Sequence, residues 1–165
     1  MQKQEVNYAF IDSQNVNLAI RDQGWKLNWT KLYKHLVKKY KCEKVYIFIG
    51  YIERNKIIYN NLENIGYSLI FKPTKEFSDG KIKGNVDAEL VLQSMIDYEK
   101  YNKAIIITGD GDFACLVKYL KKEGKLRTLI VPNEKKFSYF LKKESGHLID
   151  SLSNKRKMLE YFDKK

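Results

Sequence analysis

The chain has 165 residues, 44% of them hydrophobic, and a formal charge of +11 from 31 Lys+Arg against 20 Asp+Glu. That length and apolar content suit one globular domain with a core of its own, and exclude a disordered polyanion or a disulfide-stapled miniprotein. No apolar run reaches the roughly 18–20 residues that span a bilayer, and Val6–Ile11 is too short and too soon followed by Asp12 to be a secretory leader. Cys42 and Cys115 are far apart and form no Cys-x-x-Cys pair, so a reducing, cytoplasmic setting without membrane contact is expected. The basic excess is nearly all lysine, since Arg21, Arg54, Arg127 and Arg156 are the only arginines. Lysine meets phosphates as a point charge, so the charge favours sequence-indifferent contact with a nucleic-acid backbone.

In chain order, Val6–Asp12 reads as a strand ending in an acid, and Ser13–Asp22 as a short helix with Val16, Leu18, Ala19 and Ile20 as its apolar patch. Over 28–40, Leu32, Tyr33, Leu36, Val37 and Tyr40 recur at helical spacing behind a cap at Asn28 or Thr30. Lys44–Gly50 is a strand, Arg54–Ile65 a helix through Ile57, Ile58, Leu62 and Ile65, and Tyr67–Phe71 a third strand closed by Pro73. Residues 74–84 lack periodicity. Asn85 then caps a helix over 86–101 whose Leu90, Val91, Met95 and Tyr98 form the buried stripe. Ala104–Ile107 is a greasy strand running into Thr108-Gly-Asp-Gly-Asp112, followed by a helix over 113–123 and a strand over 126–131. A short helix over 137–143, a short edge strand within 147–152 and a polar helix over 154–163 complete one domain, its core over 6–150. Strands alternating with helices predict an α/β fold with a mainly parallel sheet and helices on both faces.

In such sheets ligands bind beyond the carboxyl ends of the strands. Asp12 ends the first strand, and Asp110 and Asp112 follow the fourth, so neighbouring strands would bring these acids to one crevice; Asp87, in the first turn of the preceding helix, leans toward the same edge. Crowded carboxylates raise one another's pKa, and a bound cation relieves that repulsion. Hard oxygen donors, with no His or Cys nearby in sequence, select Mg²⁺ or Mn²⁺ rather than zinc.

The motifs Phe10-Ile-Asp-Ser-Gln-Asn15, Lys83-Gly-Asn-Val-Asp-Ala-Glu-Leu90 and Ile107-Thr-Gly-Asp-Gly-Asp-Phe113, in this order, resemble the NYN domain, the LabA-like branch of the PIN-like nucleases, over roughly residues 6–150. The resemblance implies a Rossmann-like three-layer sandwich of strand order 3-2-1-4-5 and a metal-dependent endoribonuclease site. By motif position Asp12, Asp87, Asp110 and Asp112 are the acidic cluster, with Asn15 and Thr108 as polar support. Thr108 stands where many relatives have serine, and Ser13-Gln14 replaces small residues common after the first acid. Gly109 and Gly111 let the backbone turn tightly. Lys75, Lys81 and Lys83 are then placed to track an RNA backbone, single-stranded by preference with DNA not excluded, and Phe77, Trp25 and Trp29 offer stacking surfaces. Homodimerisation is left open.

Plainer roles stand beside these. Asp110 can cap the helix before Phe113, Asp87 can meet a helix dipole, Asn15 can cap its own helix and Thr108 can satisfy a backbone group. His35 and His147 lie outside the motifs and read as structural, the aromatics as packing, Glu89 as solvent-facing or an outer support, and Asp150 as a loop acid. The rival functions are a catalytically silent RNA-binding or regulatory module of the same fold, and a Toprim-like phosphotransfer enzyme, which expects a glutamate where this chain has Asp12. A nucleotide-binding enzyme is disfavoured because no Gly-rich phosphate loop follows the first strand.

Overall fold

Short runs rich in Ile, Val, Phe and Tyr pair side by side in the computed structural model, which describes residues 3–76, 78, 82–83 and 85–163. β1 (Asn7–Asp12), β2 (Cys42–Tyr51), β3 (Ser68–Pro73), β4 (Lys103–Ile107), β5 (Leu126–Val131) and β6 (Ile149–Ser151) form one sheet of order β3-β2-β1-β4-β5-β6, with every pairing parallel. The expected order 3-2-1-4-5 holds, and β6 adds the short edge strand expected within 147–152. Lys75–Glu76 and Ile82–Lys83 make a separate antiparallel ribbon inside the segment that lacks periodicity.

The period of two sorts the side chains into two cores. Ala9, Ile11, Val45, Ile47, Ile105 and Ile107 face α1 (Ser13–Asp22), α2 (Trp29–Tyr40), α3 (Lys56–Ile65) and the single turn α7 (Arg156–Leu159). Tyr8, Phe10, Tyr46, Phe48, Ile106 and Leu129 face α4 (Asp87–Ile96), α5 (Ala114–Lys122) and α6 (Tyr139–Ser145). Three layers result. Asn28 caps α2 by accepting from Lys31 N at 3.0 Å, and Gly66, at φ 130°, ends α3 where a Cβ would stand 2.5 Å from the Tyr33 ring. Among the described residues no helix is long and apolar enough to cross a membrane.

Several faces and ends differ from the sequence reading. On α1 the inward residues are Val16 and Ile20, with Leu18 exposed. On α3, Tyr59 and Leu62 turn inward and Ile57 and Ile58 stay outside. Tyr59 wins because its hydroxyl accepts from Ile52 N at 3.0 Å and donates to Gly50 O at 3.3 Å, closing the loop after β2. The helix expected over 86–101 stops at Ile96, with a 3₁₀ turn over Tyr98–Lys100. Met95 is exposed; Ser94 and Asp97 are buried instead, Asp97 accepting from the Tyr46 hydroxyl and from Gln93 Nε2. The terminal helix expected over 154–163 shrinks to a 3₁₀ turn and α7, because Leu159–Tyr161 pairs back onto residues 26–28 through Asn28 N to Leu159 O and Tyr161 N to Lys26 O, both 2.8 Å.

Candidate metal centre

β1 and β4 are neighbours with Ile11 opposite Ile107, so Asp12 and Thr108 leave the sheet side by side. Asp12 is also the residue from which α1 starts, and it is 5% exposed. Its Oδ2 accepts from Thr108 Oγ1 at 3.1 Å, while the same Thr108 oxygen accepts from Asp110 N at 3.1 Å. The hydroxyl therefore satisfies a backbone group, as its plain role required, and ties Asp12 to the Asp110 loop as well. Asn15 lies inside α1 rather than capping it, and its Oδ1 reaches across to accept from Gly109 N at 2.8 Å.

Asp110 does cap the short 3₁₀ turn Gly111–Phe113, accepting from Asp112 N at 2.9 Å. Neither Gly109 nor Gly111 has a positive φ, so their smallness serves close approach instead of an unusual turn. A Cβ on Gly111 would stand 2.4 Å from Ser138 Oγ, and one on Gly109 would stand 3.4 Å from Asn15 Oδ1. Asp87 opens α4, preceded by Asn85, whose Oδ1 accepts from Asp87 N at 2.9 Å. Lys72 secures that corner: its Nζ donates to Asn85 O at 2.5 Å and pairs with Glu89 at 3.5 Å. Glu89 is thus an outer support with a cation of its own.

One oxygen from each of Asp12, Asp87 and Asp110 lies within 4.8 Å of the others. Asp112 falls outside that group and borders Asp87. Burial pushes the Asp12 carboxyl up to about 6; Asp87 and Asp110 push the same way, against the Thr108 hydroxyl and the backbone at Asn15. Asp87 is also pushed up to about 6, by burial first, then by Asp110 and Asp112, while Asn85 pulls it down. Asp150, Asp97 and Glu160 are paired with cations on other parts of the fold, and Glu89 with Lys72 at the Asp87 corner. Three crowded carboxylates with only oxygen donors fit a hard divalent cation.

Lys75 is exposed on the ribbon; Lys81, Phe77 and the Lys83 side chain lie outside the described residues. Trp25 is buried and so presents no face to a base, while Trp29 is partly buried and packs in a T-shaped contact with Tyr67, ring centres 5.9 Å apart. Asp150 sits in β6, where burial would raise its carboxyl but hydrogen bonds from Lys155 and Tyr40 hold it well below the usual carboxylate range. His147 is exposed, and His35 packs edge-on to Tyr40, its pKa lowered by burial and by Lys155 and Lys39.

Two features at this edge escaped the sequence reading. An open cleft of about 290 Å³ beside Asp12 is lined by Gln14, Asn17, Arg21, Asn55 and Tyr59. At the Asp110–Asp112 loop, the head of α6 packs against Gly111 and carries Tyr139 and Phe140, both exposed. Neither was legible because each joins segments remote in sequence.

The family model of the NYN domain matches residues 8–153. The low amplitude and bright protein LabA of Synechococcus elongatus is 25% identical over 122 residues, which cover 68% of this chain and 66% of that protein. The chain thus spans about two thirds of the length of that curated relative. The crystal structure of a Vibrio parahaemolyticus protein of unknown function matches with a TM-score of 0.78 and 18% identity, over 96% of this chain and 99% of that one. At that identity the likeness is one of fold.

Proposed function

The chain belongs to the NYN domain family, and from that premise we propose that it is a metal-dependent endoribonuclease hydrolysing phosphodiester bonds at the Asp12–Asp87–Asp110 cluster. The observation that carries this reading is the convergence of three carboxylate oxygens within 4.8 Å at the carboxyl edge of a parallel sheet. Mg²⁺ or Mn²⁺ held there would activate a water and offset charge on the attacked phosphate and the leaving oxygen.

The chain's own groups then have distinct tasks. Asp12, Asp87 and Asp110 are the primary ligands, and Asp112, bordering Asp87, is the fourth carboxylate at the outer side. Thr108 fixes the rotamer of Asp12 and the path of the backbone at Asp110 with one oxygen. Asn15 holds Gly109, so that the loop carrying Asp110 and Asp112 stays against α1. Lys75, Lys81 and Lys83, with the +11 charge behind them, guide an RNA backbone toward the acids, single strands before duplexes. DNA competes for the same contacts, and the setting is cytoplasmic.

The test is cleavage of single-stranded RNA with Mg²⁺ or Mn²⁺, set against EDTA and against Asp110→Asn. Cleavage that stops under both conditions supports the reading; cleavage indifferent to both ends it. The silent-module rival keeps the fold with a broken acidic set; the convergence of Asp12, Asp87 and Asp110 speaks against it. Its signature would be an inactive protein that binds RNA equally with and without metal.

A further inference from the structure

We propose that Tyr139 and Phe140 form a base-stacking platform for single-stranded nucleic acid beside the metal centre, a proposal that rests on the nuclease reading above. Three observations place it. First, the head of α6 is fastened to the acidic loop. Ser138 N donates to Gly109 O at 3.2 Å, and a Cβ on Gly111 would come within 3.9 Å of Phe140 Cδ2. Phe140 thus lies against the residue that separates Asp110 from Asp112.

Second, the two rings are exposed at 70% and 63%, with centres 5.9 Å apart and planes at 69°. Their neighbour Leu141 supplies the apolar anchor of α6, fully buried in the core. The sequence Ser-Tyr-Phe-Leu therefore spends one apolar residue on packing and presents two large aromatics to solvent. Exposed aromatic surface of this kind wants a flat apolar partner.

Third, the surroundings are cationic. Lys135 and Lys136 on the approach to α6, and Lys142 and Lys143 on α6 itself, are exposed, against Glu134 and Glu144. Aromatic rings interleaved with lysines beside a phosphodiester-cleaving centre match a strand whose bases are unstacked from a complement, because only such a strand offers its base faces. Stacking is tolerant of base identity, which agrees with a surface poor in arginine. Trp25, one of the aromatics sought from sequence, is buried, whereas Tyr139 and Phe140 are a pair that only the tertiary structure brings to the acids.

The experiment uses the full chain with Ca²⁺ in place of Mg²⁺, so that the strand is held without turnover, and reads fluorescence anisotropy of a labelled single-stranded RNA and of a duplex of equal length. Tyr139→Ala/Phe140→Ala is expected to weaken single-strand binding about tenfold or more, leave duplex binding within about twofold, and keep the wild-type melting curve. Phe140→Trp restores binding and Phe140→Leu does not, which separates stacking from apolar contact. In Mg²⁺ the double variant raises KM with little change in kcat. Wild-type affinity in a folded double variant, equal losses on single strand and duplex, full rescue by leucine, or no wild-type affinity for the single strand overturns the platform. So does a wild-type dimer that the double variant splits while RNA binding is unchanged, since the aromatics would then join two copies of the chain. Loss of the nuclease reading has a different signature: ring-dependent binding without metal-dependent cleavage.

Discussion

Replacing Asp12 by asparagine separates what the site needs from what the fold needs. In the folded chain the Asp12 carboxyl is pushed up to about 6 from an ordinary 3.8. Between these values the folded state holds a proton that the unfolded chain has released. Stability therefore falls as pH rises through this window, and at neutral pH the charged, buried Asp12 opposes folding. A shift of about two pKa units corresponds to roughly 3 kcal/mol. Asparagine has the same shape, no charge, and an Oδ1 that can still accept from Thr108. Part of the gain is lost with the charge-assisted character of that bond, leaving about 1–3 kcal/mol. For a chain of this size that is a rise of about 3–10 °C in Tm.

The assay is thermal unfolding of wild type and Asp12→Asn in EDTA at pH 5 and pH 7.5. The difference between the proteins is the readout, because His35, whose lowered pKa acts in the opposite sense, contributes equally to both. The variant melts above wild type at pH 7.5, and the gap narrows at pH 5, where Asp12 is already protonated. Excess Mg²⁺ then raises the wild-type melting temperature far more than that of the variant. An asparagine variant that melts below wild type at pH 7.5, with a gap indifferent to pH, would refute the idea that the site carries uncompensated charge.

Other consequences follow from the same geometry. Thr108→Val removes the hydroxyl from Asp12 and should move the acid limb of the cleavage profile to higher pH by roughly one unit, whereas Thr108→Ser leaves it in place; pH–rate profiles decide. Gly111→Ala drives a methyl to 2.4 Å from Ser138 Oγ, so overpacking costs about 1–3 kcal/mol and kcat falls more than KM rises; urea unfolding and steady-state kinetics read the two effects. Because Asp12 and Asp87 both titrate near 6, metal-dependent cleavage should rise with pH through that value. Metal competes with those protons, so the rise should move to lower pH as Mg²⁺ increases, and a limb fixed at every Mg²⁺ concentration would contradict this.

What could be read in the sequence is what depends on period and punctuation. Ile105–Ile107 followed by Gly-Asp-Gly-Asp sets a buried strand and a loop of acids whatever the tertiary context, and Phe10-Ile-Asp does the same for β1. Once β1 and β4 are neighbours, Asp12 and Asp110 must meet at the carboxyl edge. Helix faces were less legible where two apolar registers compete. On α3 the hydroxyl of Tyr59 decides in favour of Tyr59, and on α4 the buried Asp97–Tyr46 contact decides against Met95. Both decisions are made by hydrogen bonds, for Tyr59 to the end of β2 and the loop after it and for Asp97 to Tyr46 on β2, which hydropathy does not carry. The role of the glycines was likewise hidden: smallness at Gly111 matters only because Ser138 arrives there from α6.

The most direct test of the account is metal binding itself, followed by electron paramagnetic resonance of free Mn²⁺ as protein is added. The account predicts stoichiometric uptake of Mn²⁺ by the wild type, competed by Mg²⁺ and lost in both Asp12→Asn and Asp110→Asn while their folds persist. Wild-type protein that leaves Mn²⁺ free, or variants that bind it as the wild type does, would contradict the assignment of Asp12, Asp87 and Asp110 as a metal centre.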